Sequence, residues 1–302
     1  MRQILSFLIF LAAGFAGGYG AAKWKAVERL SAKLSHSQNA SVLVAFAPTP
    51  YPIEDLPFCI VISGRNNGAH LEKTLRSAFS QKYDNYRIVY VDDASDDGSF
   101  DLARDLMYAS PRFGIAQILR NERPLGPLAC LAQAAKSCGE DEILVVLNGE
   151  DWLAHEWVLA RLNEYYADPD LWMTYGQSRD YPAYRTGGAY PVQETGKGVR
   201  AQPFGATHLK TFYAKLFKKI QASDFLYKGE FFPAACDLAY MFPMLEMAKG
   251  HAQCLPDILY ICNREAKGDD RELHAVFEKH IRALAPYPQL SSLDLQTAEE
   301  AR

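Results

Sequence analysis

The chain has 302 residues and a mass of 33.8 kDa, enough for one large core or two small ones, and its 49% hydrophobic and 23% charged residues exclude disorder over most of the length. With 32 Lys and Arg against 36 Asp and Glu, the net charge is −4, which is too weak and of the wrong sign for a nucleic-acid binder. Cys59, Cys130, Cys138, Cys236, Cys254 and Cys262 contain no CxxC pair, so they read as reduced thiols packed among apolar neighbours, with no zinc.

Residues 4–22 form an uncharged apolar stretch of 19 residues, about 28 Å long as a helix and close to the thickness of a bilayer core. Two readings fit it: a transmembrane anchor, or a cleaved signal peptide with Arg2 at its start and Gly20-Ala21-Ala22 as the cleavage site. Only Arg2 precedes the stretch, whereas Lys23, Lys25, Arg29 and Lys33 follow it. That bias favours an anchor over 1–22 with the body on the cytoplasmic side; the signal-peptide reading would export the body. Residues 23–57 read as a short amphipathic helix followed by an extended tether carrying Pro48, Pro50 and Pro52. The folded domain is expected over 58–265, with a helical extension over 266–302.

Residues 58–62 read as a strand, and Leu71, Leu75, Ala78 and Phe79 then recur at helical spacing up to Gln81. Strands follow at 86–91, 115–119 and 143–147, separated by helices at 99–108 and 125–136; a further helix is expected from about 153 to 166. Strands alternating with helices imply a mainly parallel sheet covered on both faces, whose ligands bind beyond the carboxyl ends of the strands. The polar residues just after each strand are therefore the candidates. They are Ser63, Arg65 and Asn66 after the first, Asp92 and Asp93 after the second, and Asn148, Glu150 and Asp151 after the fourth.

Asp97-Gly98-Ser99 reads as the cap of the next helix. Asp92 and Asp93 differ because they end a buried strand, where a carboxylate needs a partner and can accept the ring or ribose donors of a nucleoside. Glu150 and Asp151 suit a divalent ion holding a diphosphate, although Asp151 also fits the start of the following helix. Residues 178–202, rich in Tyr, Gly and Pro, are long for a plain connection and read as a lid or acceptor-binding loop. Met241, Met244 and Met247 read as core packing, and Glu246 as facing solvent or an internal Lys.

Taken together, Cys59-Ile60-Val61-Ile62-Ser63 with Asn66, Ile88-Val89-Tyr90-Val91-Asp92-Asp93-Ala94-Ser95 and Asn148-Gly149-Glu150-Asp151 resemble the family 2 glycosyltransferases with the GT-A fold. The likeness extends to Leu171-Trp172-Met173-Thr174-Tyr175-Gly176 and Cys236-Asp237-Leu238, so it covers most of 58 to about 263. It implies a nucleotide-sugar donor, UDP-linked by analogy, held by Ser63, Arg65, Asn66, Asp92, Asp93, Asn148 and Glu150. It also implies a divalent cation, Mn2+ or Mg2+, on Asp151 and Glu150 with His208 as a further ligand, and an inverting transfer with Asp237 as general base. The acceptor would be a hydroxyl of an unspecified carbohydrate, lipid or protein.

Apolar neighbours such as Phe231, Phe232 and Leu238 should raise the pKa of Asp237 and strengthen it as a proton acceptor; a helix N-cap is its other expected use. Asn148 stands where the family has Asp, and Glu150 where it often has a second Asp. These departures leave open a catalytically inactive nucleotide-sugar-binding protein. No QxxRW motif is present, which favours transfer of single sugars over processive synthesis, and no GxGxxG follows the first strand, which excludes a dinucleotide-dependent oxidoreductase.

Overall fold

The computed structural model describes residues 54–192, 198–265 and 271–293. The stretch 4–22 and most of the tether lie outside the described residues, and among those described no helix is long and apolar enough to cross a membrane.

The first half alternates strand and helix as the periodicity predicts: β1 (Phe58–Gly64), α1 (Gly68–Phe79), β2 (Tyr86–Asp92), α2 (Ser99–Ala109), β3 (Ala116–Arg120), α3 (Pro127–Ser137) and β4 (Ile143–Asn148). These strands are near-continuous apolar runs because helices cover both faces of the sheet; every residue of Phe58 to Ile62 is buried. Helix α1 buries Leu71, Thr74, Leu75 and Ala78, the i, i+3, i+4, i+7 stripe that its sequence carries.

The expected helix from 153 departs from its prediction. Trp152–Leu153 form a two-residue strand, β5, that pairs antiparallel with β10 (Ala252–Asn263), and α4 starts only at Val158 and runs to Tyr166. Asp151 is therefore not the cap of α4. The chain continues through β6 (Met173–Tyr181), β7 (Lys210–Tyr213), α5 (Ala214–Lys218), a small hairpin of β8 (Leu226–Tyr227) and β9 (Glu230–Phe231), α6 (Cys236–Met247), β10 and α7 (Arg271–Ala283).

Eight strands make one sheet in the order β3-β2-β1-β4-β7-β6-β10-β5. β1 pairs parallel with β2 and β4, β2 with β3, and β6 with β10; β7 runs antiparallel to both β4 and β6. The C-terminal ends of β1, β2, β4, β6 and β10 thus share one edge with the N-terminal end of β7. Helix α6 is apolar nearly all round and buried accordingly, with Met241, Met244 and Met247 in the core as expected.

The stretch read as a lid is folded against β6 up to Val192: the Gln177 side-chain amide exchanges two hydrogen bonds with the backbone of Ala189, and the Val192 N–H donates to the Tyr175 hydroxyl at 2.9 Å. The C-terminal extension also docks. Leu293 is buried, and the Tyr287 hydroxyl donates to Asp224 at 2.7 Å. All six cysteines are free thiols, with Cys59 and Cys138 Sγ atoms 3.0 Å apart in the core.

Candidate active site

Three loops leave the shared edge side by side. The register sets Gly64 opposite Asp92 and Ser63 opposite Asn148, and the Asp93 and Gly149 N–H groups extend this pairing by donating to the carbonyls of Gly64 and Ser63. Asn66, with φ 52°, turns the first loop so that its amide and Asp96 exchange hydrogen bonds at 2.8 and 3.0 Å. Arg65 is exposed beside it, and Ser63 is half-buried at the strand tip.

Asn67 carries no signal in the sequence, yet it joins the first and third loops. It is buried, and its Nδ2 donates to the Gly149 carbonyl at 2.6 Å. The approach is so close that a Cβ on Gly149 would lie 2.4 Å from Asn67 Nδ2 and 2.9 Å from Gly64 Cα. From α1, the Thr74 hydroxyl sits 2.9 Å from the Gly149 carbonyl and 2.7 Å from that of Asp151.

The two aspartates after β2 diverge. Asp93 accepts from Asn121 Nδ2 at 2.7 Å and from the Leu125 and Gly126 N–H groups at 2.8 Å each, so both its oxygens brace the turn into α3. Asp92 has none of its surface exposed. Its Oδ2 accepts from the Ser95 N–H at 3.0 Å and lies 3.4 Å from Arg120 Nε, while its buried Oδ1 has no hydrogen-bond partner among the described residues.

Asp151, expected as a metal ligand, is turned inward instead. It is fully buried; Oδ2 accepts from Tyr260 OH at 2.6 Å and Asn148 Nδ2 at 2.9 Å, and Oδ1 accepts from the Asn263 N–H at 2.6 Å. The carboxylate therefore fastens the third loop to β10, and the polar side of Asn148 is drawn into the same cluster. Glu150 is half-buried at the tip. Among the described residues, no three His, Cys, Asp or Glu side chains converge as a metal cluster.

Tyr260 carries the arrangement onward. The His208 ring stacks on it with centroids 4.5 Å apart and 12° between planes. Asp237 lies in the first turn of α6, where a helix N-terminus favours a carboxylate, but Ala235 and not Asp237 occupies the cap. Its Oδ2 is 2.5 Å from Lys210 Nζ, and its Oδ1 accepts from Tyr240 OH at 3.0 Å. Burial pushes the Asp237 carboxyl up, as the apolar neighbours suggest. The Lys210 ammonium, the His208 ring and the two donated hydrogen bonds outweigh that and hold it well below the usual carboxylate range, opposite to the expectation from sequence. Lys210 is fully buried, whereas Asp237 keeps 44% of its side chain exposed.

Val146 on β4 is registered with Lys210 on β7, so Asp92, Asn148 and Asp237 all sit along one edge; β2 and β7 are three strand spacings apart, about 14 Å. In an open α/β sheet ligands bind in the crevice outside the carboxyl ends of the strands, which is where these acidic and amide side chains gather. Residues 59–222, more than half of the chain, match the profile of Glycosyl transferase family 2, and the chain belongs to that family.

The fold resembles Staphylococcus aureus TarS 1-349 in complex with UDP-GlcNAc, with a TM-score of 0.53 and 15% identity, over 76% of this chain and 62% of the other. It also resembles the mannosyltransferase PcManGT from Pyrobaculum calidifontis in complex with GDP-Man and Mn2+, with a TM-score of 0.55 and 19% identity, over 88% and 74%. The chain spans about 60% of the length of TarS 1-349 as aligned in its UDP complex. No curated protein sequence matches it.

Proposed function

We propose that the chain is an inverting glycosyltransferase that moves a single sugar from a nucleotide-sugar donor, UDP-linked by preference, to an acceptor hydroxyl on a carbohydrate, lipid or protein. The observation that carries this reading is the pairing of a partly exposed, ionised Asp237 with the unpartnered Oδ1 of Asp92 on the same sheet edge. A buried carboxylate oxygen calls for a donor, and the ring N–H of a nucleotide base supplies one. Ser63, Arg65 and Asn66 follow the neighbouring strand β1 and complete the proposed donor site; Asp93 contributes by bracing the turn into α3.

In the transfer step Asp237 takes the proton of the acceptor hydroxyl, the acceptor oxygen bonds to the anomeric carbon, and the bond from that carbon to the diphosphate breaks with its electron pair leaving on the nucleotide. Glu150 is the loop's remaining carboxylate, and Mg2+ or Mn2+ held by one carboxylate together with substrate phosphates is an ordinary arrangement. Such an ion would offset charge on the leaving diphosphate. We assign the ion to Glu150 rather than Asp151 because both Asp151 oxygens are engaged, and keep His208 as a further proposed ligand, since stacking on Tyr260 engages the face of its ring and not its nitrogens. Residues 4–22 are proposed to anchor the chain with this domain on the cytoplasmic side.

Incubating the purified chain with UDP- and GDP-sugars, with and without Mn2+, tests the reading. Release of nucleoside diphosphate that is lost in Asp237→Asn, in a variant that is still stabilised by the donor, supports it. Donor binding with no release under any condition would leave a nucleotide-sugar-binding protein instead.

A further inference from the structure

Lys210 has none of its side chain exposed, a position that an ammonium tolerates only beside a counter-charge. The counter-charge is Asp237, 2.5 Å away. β7 is locked at the centre of the sheet by the pairings Val146↔Lys210 and Thr174↔Thr211, so the root of the ammonium is a fixed point. Asp237, by contrast, projects from the end of a helix with nearly half of its side chain in solvent. Tyr240, one turn further along α6, donates to the other carboxylate oxygen. One donor on each oxygen fixes the plane and direction of the carboxylate; Tyr240 alone would leave it free to swing about the remaining bond.

We propose that Lys210 is a positioning residue for the transfer, aiming the Asp237 carboxylate at the acceptor hydroxyl without itself touching substrate. This deepens the glycosyl-transfer reading and rests on it. In the step, the hydroxyl proton passes to Asp237, the acceptor oxygen forms the new glycosidic bond, and the nucleoside diphosphate departs with the electron pair. Lys210 keeps its protons throughout. A displacement of the base by about 1 Å costs up to roughly a hundredfold in rate, which sets the size of the expected effect.

The test is steady-state kinetics of the full chain, with the donor that the wild type turns over, on Lys210→Met, Lys210→Arg, Tyr240→Phe and Asp237→Asn. Lys210→Met should lower kcat by about tenfold to a hundredfold with donor KM within threefold of wild type. Lys210→Arg keeps the charge, so it tolerates folding, yet its longer fork displaces the carboxylate; its kcat should fall between wild type and Lys210→Met, again at unchanged donor KM. Tyr240→Phe should lower kcat several-fold. Should Lys210→Met fail to fold, Lys210→Arg decides: wild-type kcat in that variant overturns the proposal. A Lys210→Met enzyme with wild-type kcat, or one whose donor KM rises in step with the loss of kcat, overturns it as well and leaves Lys210 a structural ion pair. Both results differ from failure of the transfer reading itself, in which the wild type releases no nucleoside diphosphate and the Lys210 assignment falls with it.

Discussion

Asp93 satisfies three donors and Asp92 leaves one oxygen open, so replacing each by alanine should give opposite phenotypes. Asp93→Ala leaves Asn121 Nδ2 only its contact with Cys130 Sγ and strips two backbone N–H groups of their acceptor, and urea denaturation should show a loss of about 3 kcal/mol. Asp92→Ala removes the acceptor proposed for the nucleotide base; a hydrogen bond to a charged group contributes about 1.5–3 kcal/mol, so donor Kd by titration calorimetry should rise roughly tenfold to a hundredfold. Asp237 makes a pH prediction. Its folded pKa lies below the ordinary carboxylate value of about 3.9, so its contribution to stability is present above that value and is lost as pH falls through the lower, folded one. For catalysis the same sign keeps the base ionised, and kcat should show no acid limb from this group between pH 7 and pH 5. A kcat that falls with acidification across that range would contradict Asp237 as the base.

Elements were legible where local pattern decides them and obscure where distant pairing does. Strands β1, β2 and β4 are runs of apolar residues between turn signals, so the polar residues at their tips stand out in the sequence. β5 could not be anticipated, because Trp152 and Leu153 become strand only by pairing with Ile261 and Tyr260, more than a hundred residues away. The same distance hid the use of Asp151, whose partners Tyr260 and Asn263 lie on β10. Lys210 was hidden differently: a lysine in a short strand reads as a solvent-facing residue, whereas here it is buried and bonded to Asp237 of α6. Glu246 on α6 faces neither solvent nor Lys but Arg200, in an ion pair with 8% and 7% exposure. Arg200 also donates to the Ile281 carbonyl, so this pair ties α6 to α7. Glu246→Ala leaves a buried guanidinium uncompensated and should cost about 3–5 kcal/mol by urea denaturation, whereas Glu246→Gln should cost less.

The proposed transfer divides the sheet edge between two tasks. In it the tips of β1, β2 and β4 are the donor side around Asp92, and β7, α6 and β10 the reaction side around Asp237, with the Asn148–Asp151–Tyr260–His208 line between them. Both sides rest on one contiguous core, so a ligand held on either side stabilises the entire domain. A donor at a hundred times its Kd contributes about 2.7 kcal/mol, which for a domain of this size raises Tm by roughly 5–10 °C. The division predicts which variants keep that shift. Asp237→Asn should melt with the full donor-induced increase while releasing no nucleoside diphosphate, since its carboxylate meets the acceptor rather than the nucleotide. Asp92→Ala should lose most of the increase at the same donor concentration. Mn2+ alone should move Tm little, because Glu150 is its sole proposed protein carboxylate, and should enlarge the shift only when UDP supplies phosphate oxygens. If Asp237→Asn lost the shift and Asp92→Ala kept it, the nucleotide would have to sit over β7 and α6, and the assignment of the two sides would be reversed.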